Sequence, residues 1–237
     1  MRVLFLPGGD GDATTFDALL AHLPRVDAVV HDRRRAGDLP LTAHTDEVAA
    51  TLTGGPATVV ATSMGALIGL DLLARYPDRV GLLVAHEPPA VDLLPPAERA
   101  DALARQEAVV ATYAAHGADA GMRTLLTDIG VDLSDREPDA ALPKLTAARL
   151  RNLDHLLRYD VTAAGRHRLD PAALAPVAER IVAAGGERSG GAYPYRCAVA
   201  LAERLDLPFV LFPGGHTGYA THPRAFAGTL LEVLLQA

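Results

Sequence analysis

The residues best suited to covalent chemistry lie around Ser63. The segment reads Val59-Val60-Ala61-Thr62-Ser63-Met64-Gly65-Ala66, a short apolar run, a serine, then an apolar stretch with helical character. A serine on a tight strand-to-helix turn projects its hydroxyl, and small neighbours let strand and helix approach. The N–H of the next residue, Met64, and the helix dipole then face any developing oxyanion. The usual form of this elbow is G-x-S-x-G, and here Ala61 replaces its first glycine. The other serines are placed less well: Ser134 lies in an acidic loop, and Ser189 leads into no obvious apolar helix.

A nucleophilic serine needs a base. Of nine histidines, His216 follows an apolar run, Phe209 to Phe212, in the glycine-rich loop Pro213-Gly214-Gly215-His216. An imidazole there projects over a sheet edge, and the order of serine before histidine suits the acid-between-them arrangement. His222, at a helix entry, reads as a capping or surface residue, and His86 as a neighbour without a chemical role. Near the start, Gly8-Gly9-Asp10-Gly11-Asp12 follows another apolar run. Its glycines let backbone amides, those of Gly9 or Asp10, reach a substrate oxygen beside that of Met64. Two aspartates beside a developing negative charge are unusual. Capping of the next helix is the reading for Asp12.

These residues require elements to hold them. Short apolar runs at Arg2–Leu6, Val26–His31, Thr58–Thr62 and Val80–Ala85 read as buried strands. Helical spacing alternates with them at Thr14–His22, at Thr42–Leu52 with Thr42 as N-cap, and at Met64–Tyr76. This alternation predicts a parallel sheet covered on both faces. From Pro95 to Arg168 the rhythm becomes helical, at Ala97–His116, Asp119–Leu126 and Pro143–Tyr159. Strands resume at Arg180–Ala184 and Phe209–Phe212, followed by helices at Tyr195–Leu205 and Pro223–Leu235. The expected organisation is an α/β core of residues 1–91 and 171–237 with a helical lid at 92–170. Leu125, Leu126, Ile129, Leu150, Leu153, Leu156 and Leu157 of that insertion suit an acyl site, though helix packing explains most of them equally. Arg149, Arg151 and Arg158 read as a solvated helix face rather than as anchors for a substrate carboxylate.

Taken in order, several segments resemble the α/β-hydrolase family: Leu6-Pro7-Gly8-Gly9 its oxyanion loop, residues 32–37 its D-x-R-G-x-G segment with Arg35 for the first glycine, Ala61–Gly65 its elbow, Arg75–Val80 its helix-to-strand turn, and Pro213–His216 its histidine loop. The resemblance spans nearly the whole chain. It implies a three-layer fold with a mostly parallel sheet of about six strands, in a compact member that begins at the oxyanion-loop strand without the two strands that commonly precede it. It also implies a serine hydrolase acting on an ester or thioester through an acyl-enzyme, with Ser63 as nucleophile and His216 as base. The oxyanion loop and substrate-binding residues are then Gly8, Gly9, Asp10 and Met64. The family usually carries its acid after the penultimate strand, where Gly186-Glu187-Arg188-Ser189 puts a serine at the carboxylate position. Glu87, just after the Val80–Ala85 strand, is the favoured acid, with Glu187 or no acid as the alternatives.

Composition bounds the rest. The formal net charge of −7 argues against nucleic acid as the main partner. A single cysteine, Cys197, excludes an internal disulfide framework and a cysteine zinc site. No stretch reads as a membrane span or a signal peptide. The expected protein is cytoplasmic, a monomer or homodimer acting on a small-molecule acyl substrate without metal or organic cofactor. A dinucleotide reading of Gly9-x-Gly11 with Asp32 fails, because Thr14 holds the third glycine position and Asp10 and Asp12 would oppose a pyrophosphate. Two other readings stand as alternatives: a non-catalytic small-molecule binder on the same fold, and a cofactor-free lactonase or perhydrolase.

Overall fold

In a computed structural model, described for residues 1–33 and 37–236, six strands form one sheet. They are β1 (Arg2–Leu6), β2 (Asp27–Val30), β3 (Ala57–Thr62), β4 (Val80–His86), β5 (Ile181–Gly186) and β6 (Phe209–Phe212). The order is β2-β1-β3-β4-β5-β6 and every pair is parallel. The expected sheet of about six mostly parallel strands is therefore six strands, all parallel.

Strand alternation explains how the sheet is buried. Along β1, Leu4 and Leu6 pack into one layer while Val3 and Phe5 pack into the other. The first layer takes α2 (Leu41–Thr51), α3 (Met64–Arg75) and α9 (Tyr193–Leu205); the second takes α1 (Asp17–Leu20) and α11 (Pro223–Gln236). Helix α3 is buried without interruption from Met64 to Leu73, as a helix covered on all sides must be. Helix α9 instead buries Cys197, Ala198, Leu201 and Ala202, a single stripe at helical spacing.

Between β4 and β5 lie α4 (Pro96–His116), α5 (Ala118–Asp128), α6 (Ala147–His155), α7 (Val161–Arg166) and the short α8 (Pro171–Leu174). A π-helical turn, Leu156–Asp160, joins α6 to α7. These helices have a small core of their own, with Val109, Leu125, Leu156, Leu157 and Val161 buried together. A short α10 (Gly218–Thr221) precedes α11.

Three local readings change. The helix expected over Thr14–His22 is a 3-10 turn, Ala13–Phe16, followed by α1. Thr42 does not cap α2, which begins at Leu41 behind Pro40, whose fixed φ suits a helix entry. The helix expected from Pro143 starts only at Ala147, because the Thr146 side chain accepts from the Arg149 N–H and sets the N-terminus there. Residues 34–36 of the D-x-R-G-x-G-like segment lie outside the described residues.

Candidate active site

All six strands point the same way, so the loops after β3, β4, β5 and β6 emerge along one edge. Register places Thr62 beside His86, His86 beside Ala184, and Gly186 beside Phe212. The loop residues that follow these positions are Ser63, Glu87, Glu187 and Pro213. A parallel sheet thereby gathers side chains distant in sequence.

Ser63 links β3 to α3 in a backbone conformation few L-residues adopt, φ 51° and ψ −124°. Its N–H donates to the His86 carbonyl at 2.8 Å, and its carbonyl accepts from Ala66 and Leu67, so both sides of the turn are fixed. Close packing forces the small neighbours. A Cβ on Gly65 would collide with the Leu6 carbonyl, and one on Gly8 would lie 2.6 Å from the Ser63 Cβ. The Met64 N–H belongs to the first turn of α3, where helical donors have no partner within the helix.

Glu87 shares this unusual geometry. Among the described residues only Ser63, Glu87 and Asp206 have positive φ without being glycine. Strain of this kind clusters at functional sites. The Glu87 Oε1 accepts from the Gly186 N–H at 2.7 Å, and its Oε2 lies 2.6 Å from His216 Nδ1. The carboxylate is fully buried, His216 nearly so. Burial alone pushes the Glu87 carboxyl upward. The bond to His216, the attraction to that ring and the Gly186 N–H outweigh that and hold it down at about 2. An ionised acid on Nδ1 fixes the ring so that Nε2 is the nitrogen free to exchange protons.

The other predicted residues divide cleanly. Glu187 is exposed and far from this role, while Ser189, at the family's usual carboxylate position, is buried with its hydroxyl unpartnered among the described residues. His86 is fully buried against Phe212 and Phe226, and burial lowers it to about 4, so it is neutral. His222 lies at the entry of α11 against the Thr221 hydroxyl. Asp12 caps the 3-10 turn by accepting from the Thr14 N–H. Gly8 sends its N–H to the Thr62 hydroxyl at 3.3 Å, so it spaces the loop, and Gly9, Asp10 and Met64 are the members of the set that line the cavity.

That cavity has a volume of about 820 Å³ and contains Ser63 and His216 in its wall, within the range of small-molecule sites. Its far wall comes from the helices between β4 and β5. Of the aliphatic residues expected there, Leu125, Leu126, Ile129, Leu150, Leu153 and Leu156 line it, while Leu157 is turned into helix packing. Arg151 and Arg158 are exposed, but Arg149 is not on a solvated face. It is buried, lines the cavity, and pairs with Asp10 (Nε–Oδ2 2.7 Å) while donating to the Thr15 hydroxyl at 3.1 Å. This pair resolves the oddity of an aspartate in an oxyanion-type loop, since its charge is offset by an arginine nearly 140 residues away.

Among the described residues no group of three or more histidine, cysteine, aspartate or glutamate side chains is placed to hold a metal. Among the same residues no helix is long and apolar enough to cross a membrane. Cys197 is buried, and burial raises its thiol well above the usual value, which leaves it an inert packing residue.

Known proteins place this architecture. A curated relative, the uncharacterized hydrolase YraK of Bacillus subtilis (strain 168), is 33% identical over 98% of this chain and 88% of its own. A thermophilic esterase from Thermogutta terrifontis superposes with a TM-score of 0.70 at 16% identity, covering 100% of this chain and 90% of that one. Est816, an N-acyl homoserine lactone degrading enzyme, gives a TM-score of 0.68 at 16% identity, covering 98% and 92%. The model of the alpha/beta hydrolase family matches residues 3–229. With that match and that relative, this chain belongs to the alpha/beta hydrolase family.

Proposed function

We propose that this hydrolase cleaves carboxylic esters or thioesters of small molecules with an apolar acyl group, through an acyl-enzyme on Ser63. His216 takes the Ser63 proton as the hydroxyl oxygen attacks the carbonyl carbon, then passes it to the leaving alcohol or thiol. Glu87 stabilises the imidazolium formed in between. The Met64 N–H and an amide of the Gly9–Asp10 loop hold the oxyanion of the tetrahedral intermediate. Water, activated by the same imidazole, then releases the acid. The helices between β4 and β5 act as a lid over the acyl chain.

The observation that carries this reading is the buried Glu87–His216 bond, 2.6 Å long, beside a cavity that also holds the strained Ser63. A binding protein has no need of an ionised acid behind a histidine. Lactones are cyclic esters open to the same attack, and they belong in the same screen. The test is turnover of p-nitrophenyl esters, acyl thioesters and lactones, together with covalent labelling by a fluorophosphonate. Turnover and a Ser63 adduct, both lost in Ser63→Ala, are expected. A folded protein that neither turns over nor labels is a binder.

A further inference from the structure

The residue with the most demanding environment outside the candidate triad is Arg33. It is 2% exposed, among the largest fully buried side chains, and carries a full charge. Its Nη2 lies 2.9 Å from Oδ2 of Asp160, itself buried, at the end of the π-helical turn between α6 and α7. The same nitrogen donates to the Gly9 carbonyl at 2.5 Å, and Nη1 donates to the Pro7 carbonyl at 3.3 Å. The Arg33 N–H donates to the Gly11 carbonyl at 3.1 Å. One residue thus grips the loop, its guanidinium at Pro7 and Gly9 and its main chain at Gly11, and ties it to the helices that wall the cavity.

Peptide geometry gives this grip a consequence. In a trans peptide the carbonyl and the following N–H point in opposite directions. The Pro7–Gly8 peptide shows the effect: its carbonyl turns to Arg33 and its N–H turns to the Thr62 hydroxyl, beside Ser63. The Gly9–Asp10 peptide has its carbonyl held by the same guanidinium, so its N–H is directed away from Arg33. Gly9 and Asp10 line the cavity with Ser63 and Met64, whereas Arg33 does not. Stability alone is a poor reason for the arrangement, since apolar side chains of equal volume usually serve as well as a buried ion pair. The π turn that presents Asp160 is also a rare element, frequent at functional sites.

We propose that Arg33 and Asp160 are positioning residues for the oxyanion loop. The inserted helices supply the carboxylate that fixes the guanidinium, and the guanidinium fixes the amide that faces the reacting carbonyl. Among the described residues, His155 also lies against Asp160, with Nδ1 3.4 Å from Oδ1. The inference rests on the acyl-enzyme reading for its kinetic consequences, but not for its structural ones.

The test compares wild type with Asp160→Asn, which keeps the shape and one acceptor, and Asp160→Ala, which leaves Arg33 unpaired. Loss of one oxyanion donor typically costs on the order of 10² to 10³ in kcat. A loosened donor is expected to cost about 10-fold in Asp160→Asn and more in Asp160→Ala, with KM within about twofold. The inhibition constant of phenylboronic acid, whose tetrahedral adduct uses the same amides, is expected to rise by the factor by which kcat falls. Hydrogen exchange of the 8–12 amides is expected to quicken while that of β3 is unchanged. Unchanged kcat, boronate affinity and loop exchange in a folded variant overturn the proposal, as does a rise in KM alone. If Asp160→Ala does not fold, Asp160→Asn decides. The exchange measurement needs no turnover. A wild type inert to esters and boronate sinks the acyl-enzyme reading, while loop exchange still decides the role of Asp160.

Discussion

The loops after β4 and β5 stand side by side at the same edge of the sheet, yet they divide one task unequally. After β4, Glu87 adopts φ 49° and turns its carboxylate under His216. After β5, Gly186 supplies only a backbone N–H to that carboxylate, Glu187 points to solvent, and Ser189 is buried without a carboxylate at the family's usual place. Position in a motif therefore does not decide which residue backs the histidine. What decides it is directed bonding strong enough to outweigh desolvation: the buried carboxyl stays ionised because the Gly186 N–H and His216 bond it, and the one in water has nothing to orient. The carboxylate bonded to His216 thus stands one strand before the family's usual place, and Gly186 of the next strand donates the hydrogen bond that holds it.

The largest way to break this comparison is to neutralise the β4 side. Glu87→Gln is expected to lower kcat by about 10³- to 10⁴-fold, because the ring loses its fixed tautomer and the charge that stabilises imidazolium. Glu187→Gln is expected to leave steady-state kinetics unchanged. The comparison sharpens if the acid can be returned to the β5 side. The Ser189 hydroxyl would lie 3.6 Å from a Cβ on Gly215, next to His216. Ser189→Asp in the Glu87→Gln background is expected to recover about 10-fold in kcat, and no recovery would show that the β5 loop can no longer reach the imidazole.

A smaller effect comes from the pair across the cavity. Arg149→Leu takes the Arg149 guanidinium away from the Asp10 carboxylate in the oxyanion-type loop, at an expected cost of about 10-fold in kcat. Adding Asp10→Asn removes that charge and is expected to restore most of the loss. A double variant as slow as Arg149→Leu would mean that Arg149 acts through packing. A last effect concerns stability rather than turnover. His86 has its value lowered from 6.5 to about 4 in the folded state. The unfolded chain therefore binds a proton there first, and stability falls as pH drops from about 6.5 to about 4. That gap corresponds to about 3 kcal/mol. Glu87, lowered from 4.5 to about 2, adds a further loss as pH falls from about 4.5 towards 2. Urea titrations across pH are expected to show His86→Phe flattening the upper window only.

Much of this site was legible from residue types and order. Ser63 stood out because a strand, a small-residue turn and an apolar helix meet there, and those are local properties. His216 followed from a glycine-rich loop after a strand. Glu87 followed from its place just past β4, although nothing in the sequence distinguishes its buried carboxylate from the exposed one of Glu187. Arg33, Arg149 and Asp160 were not legible as members of the site. Their partners lie more than 120 residues away in the chain, and a charged residue on a helix gives no local sign of which way it faces. In Arg149 the usual expectation of a solvated arginine fails because the Asp10 carboxylate waits across the cavity. The start of α6 was misplaced for a related reason: the Thr146 cap competes with helical periodicity that continues upstream of it.

In the proposed mechanism Glu87, not a residue after β5, completes the apparatus that makes Ser63 nucleophilic. The most direct measurement is the second-order rate of Ser63 modification by a fluorophosphonate, followed by intact-protein mass, in wild type, Glu87→Gln and Glu187→Gln. Rapid single labelling at Ser63 is expected in wild type and Glu187→Gln, and labelling slower by at least about 10²-fold in folded Glu87→Gln, if Glu87 has this role. Equal rates in wild type and Glu87→Gln, or slowing confined to Glu187→Gln, would contradict it.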